Sequence, residues 1–363
     1  MTFHVLFQQR NFTQHLATSG LKFQVDRFSK EVMGGPKNLT LTVEGNPEEI
    51  WEIVNYLRKP IQVIDNFQNP IWWGYVAEVR VNSGGLDFGI TLDSMNNRIS
   101  LAYSLSIGVN TRSTTSLIQD VDSIAEYGIK EIRESINDQT SQQAQQYCQN
   151  LLHDSKYPRS SLNYSLNSNE KVSATLICKG WWETLSWMLY YNSNRASSET
   201  TNQIQVILQQ CGQFITGVEI LEGSNIFQTS YRDGDSSALQ EILTLLNSGK
   251  ENGFRYYAEI TQQRKIRVYQ ASPKPKRLED CEFFVGHNSS IENQQGVVYE
   301  PHQMPVGFWV SPKNPPSKIL NLNRLSNPLI NFITRTEYVH SSKQLQLYSD
   351  GDFSPLKGLR IIP

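Results

Sequence analysis

The spacing of hydrophobic residues changes twice along this chain, and these changes limit the folds open to it. Apolar residues occupy every second position in LTLTVEG (39–45) and IWWGYVAEVRVNSGGLDFGITLD (71–93), as in strands with one buried face. Between about 114 and 158 the period becomes 3.6, which is typical of helices. Short alternating runs then return. The pattern predicts an α+β, β-rich fold with two small β-barrel-like modules and a helical insertion between them.

The same changes suggest boundaries within the 363 residues. We expect an N-terminal β-barrel module with a lid helix at 1–115, a helical linking segment at 116–158 and a second α+β module at 159–272. The segment 273–363 begins in a Pro- and Lys-rich connector and contains only short strand-like runs. We expect these strands to complete a barrel begun elsewhere in the chain.

Local signals in the first module place a hairpin and a helix. Asn82-Ser83-Gly84-Gly85 joins two alternating runs, which is typical of a β-hairpin. Asn46, followed by Pro47 and two acidic residues, indicates a helix start, and Pro60 indicates its end. The expected buried face of this helix consists of Ile50, Trp51, Val54 and Leu57.

Later segments repeat these two kinds of signal. SLIQDVDSIAEYGIKEIRESI and QTSQQAQQYCQNLLHDSKYP predict helices, whereas SLNYSLNSNEKVSATLICKG (161–180) predicts a hairpin that turns at 167–169. The following GWWETLSWMLYY is too apolar for an exposed helix, so we expect Trp181 and Trp187 in the core. Residues 200–272 predict a helix, two strands, a second helix and a hairpin.

The two helices of that last region have recognisable ends. Thr200 or Thr201 is the expected cap of the first helix, and Gly212 is its expected stop. Asp235 or Ser236 is expected to open the second helix. The hairpin after it is expected to turn at 262–263.

Charge and hydropathy exclude several classes of partner. Lys and Arg number 33 against 35 Asp and Glu, for a formal charge of −2, so the chain has no overall basic field that would attract nucleic acid. The longest apolar run is only a few residues, and MTFHVLFQQRNF lacks the basic and apolar regions of a signal peptide. We therefore expect neither specific DNA binding nor membrane insertion by this chain.

The cysteines are too few and too far apart for a disulfide framework. We interpret all four as free, partly buried thiols of a protein made in a reducing cytoplasm: Cys148, Cys178, Cys211 and Cys281. No CxxC, CxH or HExxH spacing is present, so the sequence predicts no zinc site.

The sequence gives only weak support for any candidate catalytic residue. No GxSxG motif is present, and six scattered histidines have mostly polar neighbours, as expected of surface or turn residues: His4, His15, His153, His287, His302 and His340. Asp233, Asp235 and Glu183 have the chemistry for glycoside hydrolysis, but a turn, a helix cap and a helix start explain them. We therefore predict no enzymatic activity and no catalytic, cofactor-binding or metal-binding residue.

Three stretches resemble the hub proteins of bacteriophage tails and baseplates, a family that includes the hubs of contractile injection machines. The first runs from Trp72-Trp73-Gly74 through the hairpin to Leu92-Asp93-Ser94-Met95, Asn97-Arg98 and Tyr103. The second carries Ser123, Tyr127, Gly128 and Glu131. The third is the order of helices and strands between about 174 and 270. Together they span about residues 40–272.

The resemblance implies a structural hub that joins the tail tube to the distal tip or spike of a phage-like particle. Family hubs form a closed ring, commonly a trimer, with two similar modules per chain facing a sixfold tube. The implied partners are further copies of the chain, with a trimer favoured over a hexamer, the tail tube or distal tail protein, and a spike or tip protein. The implied location is the virion tail or baseplate, after synthesis in the host cytoplasm.

Two further expectations accompany the resemblance. A lumen lined with Asn, Gln and Ser would let DNA pass without the strong phosphate binding that Lys and Arg cause. The chain has no long C-terminal extension of the kind that carries a lysozyme, peptidase or spike module, so we expect any cell-wall-degrading activity on another polypeptide.

Two other functions remain open at this level. The pairs Trp72-Trp73 and Trp181-Trp182 would stack on sugars in a carbohydrate-recognising receptor-binding tail protein, provided that they are exposed. A glycosidase would use Glu183 and Asp233. We also expect subunit contacts at strands 39–45, 71–93 or 297–310, because unpaired strand edges with few charges tend to pair with a neighbour.

Overall fold

A computed structural model describes residues 2–13, 20–105, 112–164, 172–192, 197–229, 232–249, 255–270, 280–286, 290–314 and 330–349. The expected turn at 167–169 and the connector at 272–277 lie outside these ranges. Within them, no helix combines the length and apolarity needed to cross a bilayer.

Strands dominate the described chain. In chain order the first thirteen are β1 (His4–Phe7), β2 (Lys22–Glu31), β3 (Gly35–Glu44), β4 (Pro60–Ile64), β5 (Pro70–Ser83), β6 (Leu86–Thr91), β7 (Arg98–Tyr103), β8 (Ser113–Thr114), β9 (Ile118–Gln119), β10 (Glu131–Ile136), β11 (Arg159–Tyr164), β12 (Ser173–Lys179) and β13 (Leu189–Asn192). The remaining strands are β14 (Ser197–Glu199), β15 (Gly217–Ile220), β16 (Phe227–Thr229), β17 (Arg232–Ser237), β18 (Tyr256–Ile260), β19 (Lys265–Gln270), β20 (Phe283–Val285), β21 (Ile291–Asn293), β22 (Val298–Tyr299), β23 (Phe308–Pro312), β24 (Asn331–Ile333), β25 (Arg335–Val339) and β26 (Gln344–Tyr348).

The described chain contains fewer helices than strands. The α-helices are α1 (Pro47–Glu52), α2 (Val121–Tyr127), α3 (Ser141–Ser155), α4 (Thr200–Cys211) and α5 (Ala238–Ser248). Among the described residues, 3₁₀-helices span Ile53–Tyr56, Trp181–Trp187 and Pro301–Gln303.

One ten-stranded sheet forms the centre of the fold, and it crosses the expected boundary at residue 159. Its strands follow the order β1-β4-β5-β12-β3-β2-β25-β26, while β6 pairs with β5 and β11 pairs with β6. Strand β12 therefore lies between β5 and β3, although it comes from the expected second module. The fold is β-rich as predicted, but two separate barrel-like modules are not what this sheet shows. The four-part division of the chain remains a prediction.

The expected hairpin at 71–93 is confirmed as β5 and β6, with Gly84 and Gly85 in the turn at φ values of 61° and 91°. The expected hairpin at 161–180 is wrong. Strand β11 pairs with β6, whereas β12 pairs with β5 and β3. Both segments are strands, as predicted, but each finds a partner elsewhere in the chain instead of pairing with the other. Their alternating pattern does not specify which strand lies beside them.

The region expected to be helical also contains strands. Helices α2 and α3 confirm two of its parts, but residues 131–136 form β10, which pairs in parallel with β7. Gly128 ends α2 with a φ of 88°, and a Cβ there would lie 2.3 Å from the Phe214 ring. Beyond this break, Ile132 and Ile136 pack against a small core of Ile99, Leu101 and Cys148. Pairing with β7 therefore overrides the helix-like spacing.

Other helix ends agree with the sequence to within a few residues. Asn46 and Glu49 form a capping box at α1, and Gly212 follows α4. The N-caps of α4 and α5 are Glu199 and Ser237, each one residue away from an expected cap. On the lid helix Ile50 and Leu57 are buried as expected, and the 3₁₀ turn after α1 also buries Ile53.

A large aromatic and aliphatic core lies on one side of the main sheet. Trp181 and Trp187 are buried in it, as predicted, and both contact Tyr75 and Phe214. The C-terminal part forms a separate sheet of five strands, in the order β22-β21-β20-β23-β24, with its own apolar core. After this sheet the chain returns to the main sheet, where β25 pairs with β2.

Candidate functional surface

The main sheet has one apolar face and one polar face, and both follow from simple alternation. On β3, Leu39, Leu41 and Val43 are fully buried. Asn38, Thr40 and Thr42 point to the other side and are exposed or half-buried. The apolar side packs into the main core.

The registers between neighbouring strands align polar side chains on this same side across eight strands. Thr42 lies opposite Thr175 on β12, and Thr175 lies opposite Arg80 on β5. We call the set of aligned side chains the polar face: Asn163, Ser161 and Arg159; Asp87 and Thr91; Asn82, Arg80 and Glu78; Ser173, Thr175 and Lys179; Asn38, Thr40 and Thr42; Gln24, Arg27 and Ser29; Arg335 and Glu337; Gln344 and Gln346. Ile177 and Val339 are apolar members of the same surface.

Charges on the polar face are mixed in sign, and two of its cations form ion pairs. Arg80 pairs with Glu78, and Lys179 Nζ lies 2.8 Å from an Asp93 carboxylate oxygen. Thr42 donates to Asp26 at 2.8 Å. Such a surface presents hydroxyl, amide and neutralised ionic groups rather than a continuous basic track.

Two shallow cavities lie on the polar face. One of about 460 Å³ is lined by Arg27, Asn38, Arg80 and Glu337, among others. The other, of about 410 Å³, is lined by residues of β5, β6 and β11, including Asp87 and Arg159. Both are wide, open depressions with carboxylates and guanidinium groups side by side.

The eight strands end in two edges. Within the described chain, β11 pairs only with β6, and β26 pairs only with β25. All six residues of β11 are exposed, including Leu162 and Tyr164. Such edges are open to strand pairing with another chain.

The strands that we expected at subunit contacts mostly lie inside the sheets. Strands β3, β5, β6 and β23 are each paired on both sides, so 39–45, 71–93 and 308–310 have no free edge. The short β22 has one described partner, β21. Insertion of β12 between β3 and β5 is the physical reason, because it covers the edges that a separate N-terminal barrel would expose.

The sugar-stacking interpretation of the tryptophan pairs is wrong. Trp72, Trp181 and Trp182 are buried. Trp73 is half-buried, and its indole N–H donates to the Ile260 carbonyl at 2.9 Å. None of these rings offers the open face that a stacking platform requires.

Two of the three carboxylates considered for hydrolysis take part in surface ion pairs. Glu183 lies 2.9 Å from Lys37 Nζ. Asp235 is exposed and lies 3.8 Å from Arg133. Asp233 belongs to β17, but its side chain is outside the described part of the structure.

Several solved structures are similar to this chain. All have low sequence identity. A tail protein from Neisseria meningitidis MC58 shares 8% identity over 98% of this chain and 99% of its own, with a TM-score of 0.44. The 43 kDa tail protein of prophage MuSo2 from Shewanella oneidensis shares 8% over 95% of both chains, with a TM-score of 0.44.

A third structure comes from Escherichia coli. It is a component of the type VI secretion system with structural similarity to the bacteriophage T4 tail proteins gp27 and gp5. It shares 8% identity over 98% of this chain and 78% of its own, with a TM-score of 0.40. Two of the three structures are tail proteins, and the third is similar in structure to tail proteins. No family model and no curated protein matches the chain.

Two of the histidines differ from expectation. His302 is buried against Phe3, with Nε2 3.8 Å from a carboxylate oxygen of Asp65, and His340 is half-buried beside the same phenylalanine. Burial lowers the pKa of both imidazoles. His4 and His153 are exposed, as predicted, while His15 and His287 lie outside the described residues. No local sequence pattern indicates that His302 and His340 are buried, because their burial depends on packing with the N-terminal part of the chain.

The cysteines are free and buried, as predicted. Burial raises the pKa of the Cys211 and Cys281 thiols to about 11, so these groups are protonated at neutral pH. In the described part of the chain, no three His, Cys, Asp or Glu side chains come together in a way that would hold a metal ion.

Proposed function

We propose that the chain is a structural hub or tail-tip protein of a phage-like particle. In this proposal its copies form a closed ring around a lumen lined by the polar face, and the ring joins the tail tube to the distal tip or spike. The observation that carries the proposal is the eight-stranded strip from β11 to β26, which has one continuous polar face and an open edge at each end.

The geometry of the strip suits closure by strand pairing. Every neighbouring pair along it is antiparallel. Since the number of strands is even, β11 and β26 run in opposite directions. In a ring with rotational symmetry, β26 of one copy and β11 of the next therefore meet as antiparallel neighbours, and the pattern continues without interruption. Such closure would remove both edges.

The chemistry of the polar face suits a DNA passage. Strong binding to DNA requires several Lys or Arg residues that release phosphate counterions together. Here Arg80 and Lys179 are matched by Glu78 and Asp93. Hydroxyl and amide groups between them hydrate well without holding phosphate, so the surface supports movement of DNA rather than retention.

The chain's own resemblance to tail hubs favours a trimer over a hexamer. The structure gives no specific observation in favour of a carbohydrate-recognising receptor-binding protein, since the tryptophans that would serve it are buried or half-buried. The proposal therefore retains the tail tube or distal tail protein and a spike or tip protein as neighbours. No catalytic role is proposed for the chain.

The mass of the assembled species tests this proposal. Native mass spectrometry of the purified protein, and of tails dissociated under mild conditions, should give a species of three 41.5 kDa chains. Class averages from electron microscopy should show a ring with a central hole. A monomer in solution that also occupies the tail as a monomer, with β11 facing solvent, would refute the hub role.

A further inference from the structure

A cluster of positive side chains lies outside the polar face, since none of its members belongs to that set. Four cations come together from distant parts of the chain: Arg10, Arg58, Lys59 and Arg264. Arg10 and Arg58 are joined directly, because Arg58 Nη2 donates to the Arg10 carbonyl at 2.7 Å. Arg10 Nε in turn donates to the Leu57 carbonyl at 3.0 Å. The two guanidinium groups are thus held in place by backbone contacts.

Arg58 is the most unusual member. It is 4% exposed, and its Nε and Nη1 atoms have no hydrogen-bond partner among the described residues. Its guanidinium lies 4.8 Å from the centre of the Phe214 ring and 5.7 Å from that of Phe12. The rings favour a cation on their faces but leave its N–H groups without acceptors.

Neighbouring positive side chains add to the excess of positive charge around Arg58. Arg264 lies on the Phe12 ring, with its guanidinium carbon 3.4 Å from the ring centre. Burial, and then the positive charges of Arg10 and Arg264, lower the pKa of Arg58 to about 10. Burial and Arg10 likewise lower the pKa of Lys59. A group of like charges that outnumber the acids beside them is stabilised when an anion joins it.

An open pocket of about 390 Å³ adjoins this cluster. Arg10, Arg58 and Lys59 line it, together with Glu126, Asn11 and two other residues. Glu126 already pairs with Arg10. Among the described residues that line the pocket, no other side chain is acidic. The pocket therefore has a net positive charge and room for a small anionic group.

We propose that this pocket binds a carboxylate. The carboxylate is carried either by a small free acid or by an acidic residue or chain end of a protein that packs against this surface. A carboxylate suits the site better than a phosphate, because Glu126 at the rim repels a dianion more strongly than a monoanion. A nucleic-acid backbone would need a longer row of cations than this single pocket supplies. The site is independent of the proposed ring, since it uses neither β11 nor β26.

Equilibrium dialysis with radiolabelled succinate, at constant ionic strength set with NaCl, tests the proposal on the full-length protein. We expect saturable binding of one succinate per chain. Lys59→Gln should weaken the apparent affinity about tenfold, the effect of losing one charge-assisted hydrogen bond. Lys343→Gln, which removes an exposed positive charge in the turn between β25 and β26, is the matched control and should bind as the wild type does.

A second variant separates binding from folding. Arg58→Met keeps an unbranched apolar stem between the two phenylalanine rings and removes the buried charge, so it should abolish succinate binding without lowering the melting temperature in a buffer that contains chloride but no carboxylate. A blocked tri-glutamate peptide that competes with succinate would assign the site to protein-borne carboxylates. Absence of competition, with succinate still bound, would assign it to free acids.

Three results would overturn the proposal. Binding no greater than with NaCl alone would do so, and so would equal affinity in wild type and Lys59→Gln. Tighter binding of inorganic phosphate than of succinate would reject the carboxylate class.

Discussion

Leu176 and Thr175 are neighbours on β12, yet they face opposite surroundings. Leu176 is fully buried in the core that contains Trp181, whereas Thr175 lies on the half-open polar face between Thr42 and Arg80. The same alternation holds along β3. One side of the sheet therefore supplies the free energy of folding, and the other is free to carry function. This difference predicts that substitutions on the two sides will have different kinds of effect.

The largest loss of stability is expected at the centre of the apolar side. Trp181 is 3% exposed and contacts Phe12, Tyr75 and Phe214. Trp181→Ala should lower the free energy of unfolding by about 3–5 kcal/mol, measured by urea denaturation. Phe67→Ala, at an exposed aromatic side chain, should change it by less than about 0.5 kcal/mol. Equal losses of stability at the two positions would contradict the proposed difference between the apolar core and the exposed surface.

The neighbouring pair on β12 gives a closer comparison. Leu176→Ala should cost about 2–5 kcal/mol, because it leaves a cavity in the core. Thr175→Ala should change the free energy of unfolding by about 0.5 kcal/mol or less. The same urea titrations provide both values. A larger loss at Thr175 than at Leu176 would mean that the polar face is itself buried within each chain.

Acid should weaken the apolar side through His302. Its folded pKa is lowered by burial, whereas the unfolded value is about 6.5. Below about pH 6.5 the unfolded chain therefore binds a proton that the folded chain does not, and stability falls as pH decreases toward the folded pKa. His302→Gln should flatten the stability profile below pH 6.5, measured by thermal melting. An unchanged profile would show that His302 titrates alike in both states.

The smallest change in stability is expected on the polar face, where the functional effect should appear instead. The triple variant Glu78→Gln, Asp87→Asn and Glu337→Gln removes acids but leaves Arg80 and Arg335. Each exposed ion pair lost should change stability by about 0–1 kcal/mol. DNA retention on a column should increase at low salt and disappear at high salt. Unchanged retention would argue against a polar face that is accessible to DNA.

Part of this organisation could be predicted from the sequence, because it is local. The turn at Gly84 and Gly85 specifies its own hairpin, and Asn46 with Glu49 specifies a helix start. The alternation in β3 shows which side chains share a face. The tryptophan-rich run is so apolar that its burial follows from composition.

The rest depends on contacts between residues that are distant in sequence. Strand β12 lies between β3 and β5, although about 130 residues separate it from β3, and nothing in its own pattern indicates those partners. The cluster of cations brings Arg10 and Arg58 together with Arg264 from distant parts of the chain in the same way. Each of these residues looks ordinary in its own segment, so only the folded arrangement reveals the charge imbalance.

The central claim is that β11 of one copy pairs with β26 of the next, and a disulfide cross-link tests it most directly. Ser161→Cys on β11 and Gln346→Cys on β26 both place a thiol on the polar face, and the native cysteines are buried. Seven strand spacings of about 4.8 Å separate the two positions within a chain, which is too far for an internal bond.

Mild oxidation of the double variant should therefore give covalent dimers and trimers on non-reducing gels, and neither single variant should do so. Gln344→Cys in place of Gln346→Cys covers the neighbouring register on the same face. Cross-linked trimers, formed only when both edges carry a cysteine, are the result that the ring predicts. Monomers alone in both double variants, from a sample whose mass is that of an oligomer, would show that the copies assemble through another surface.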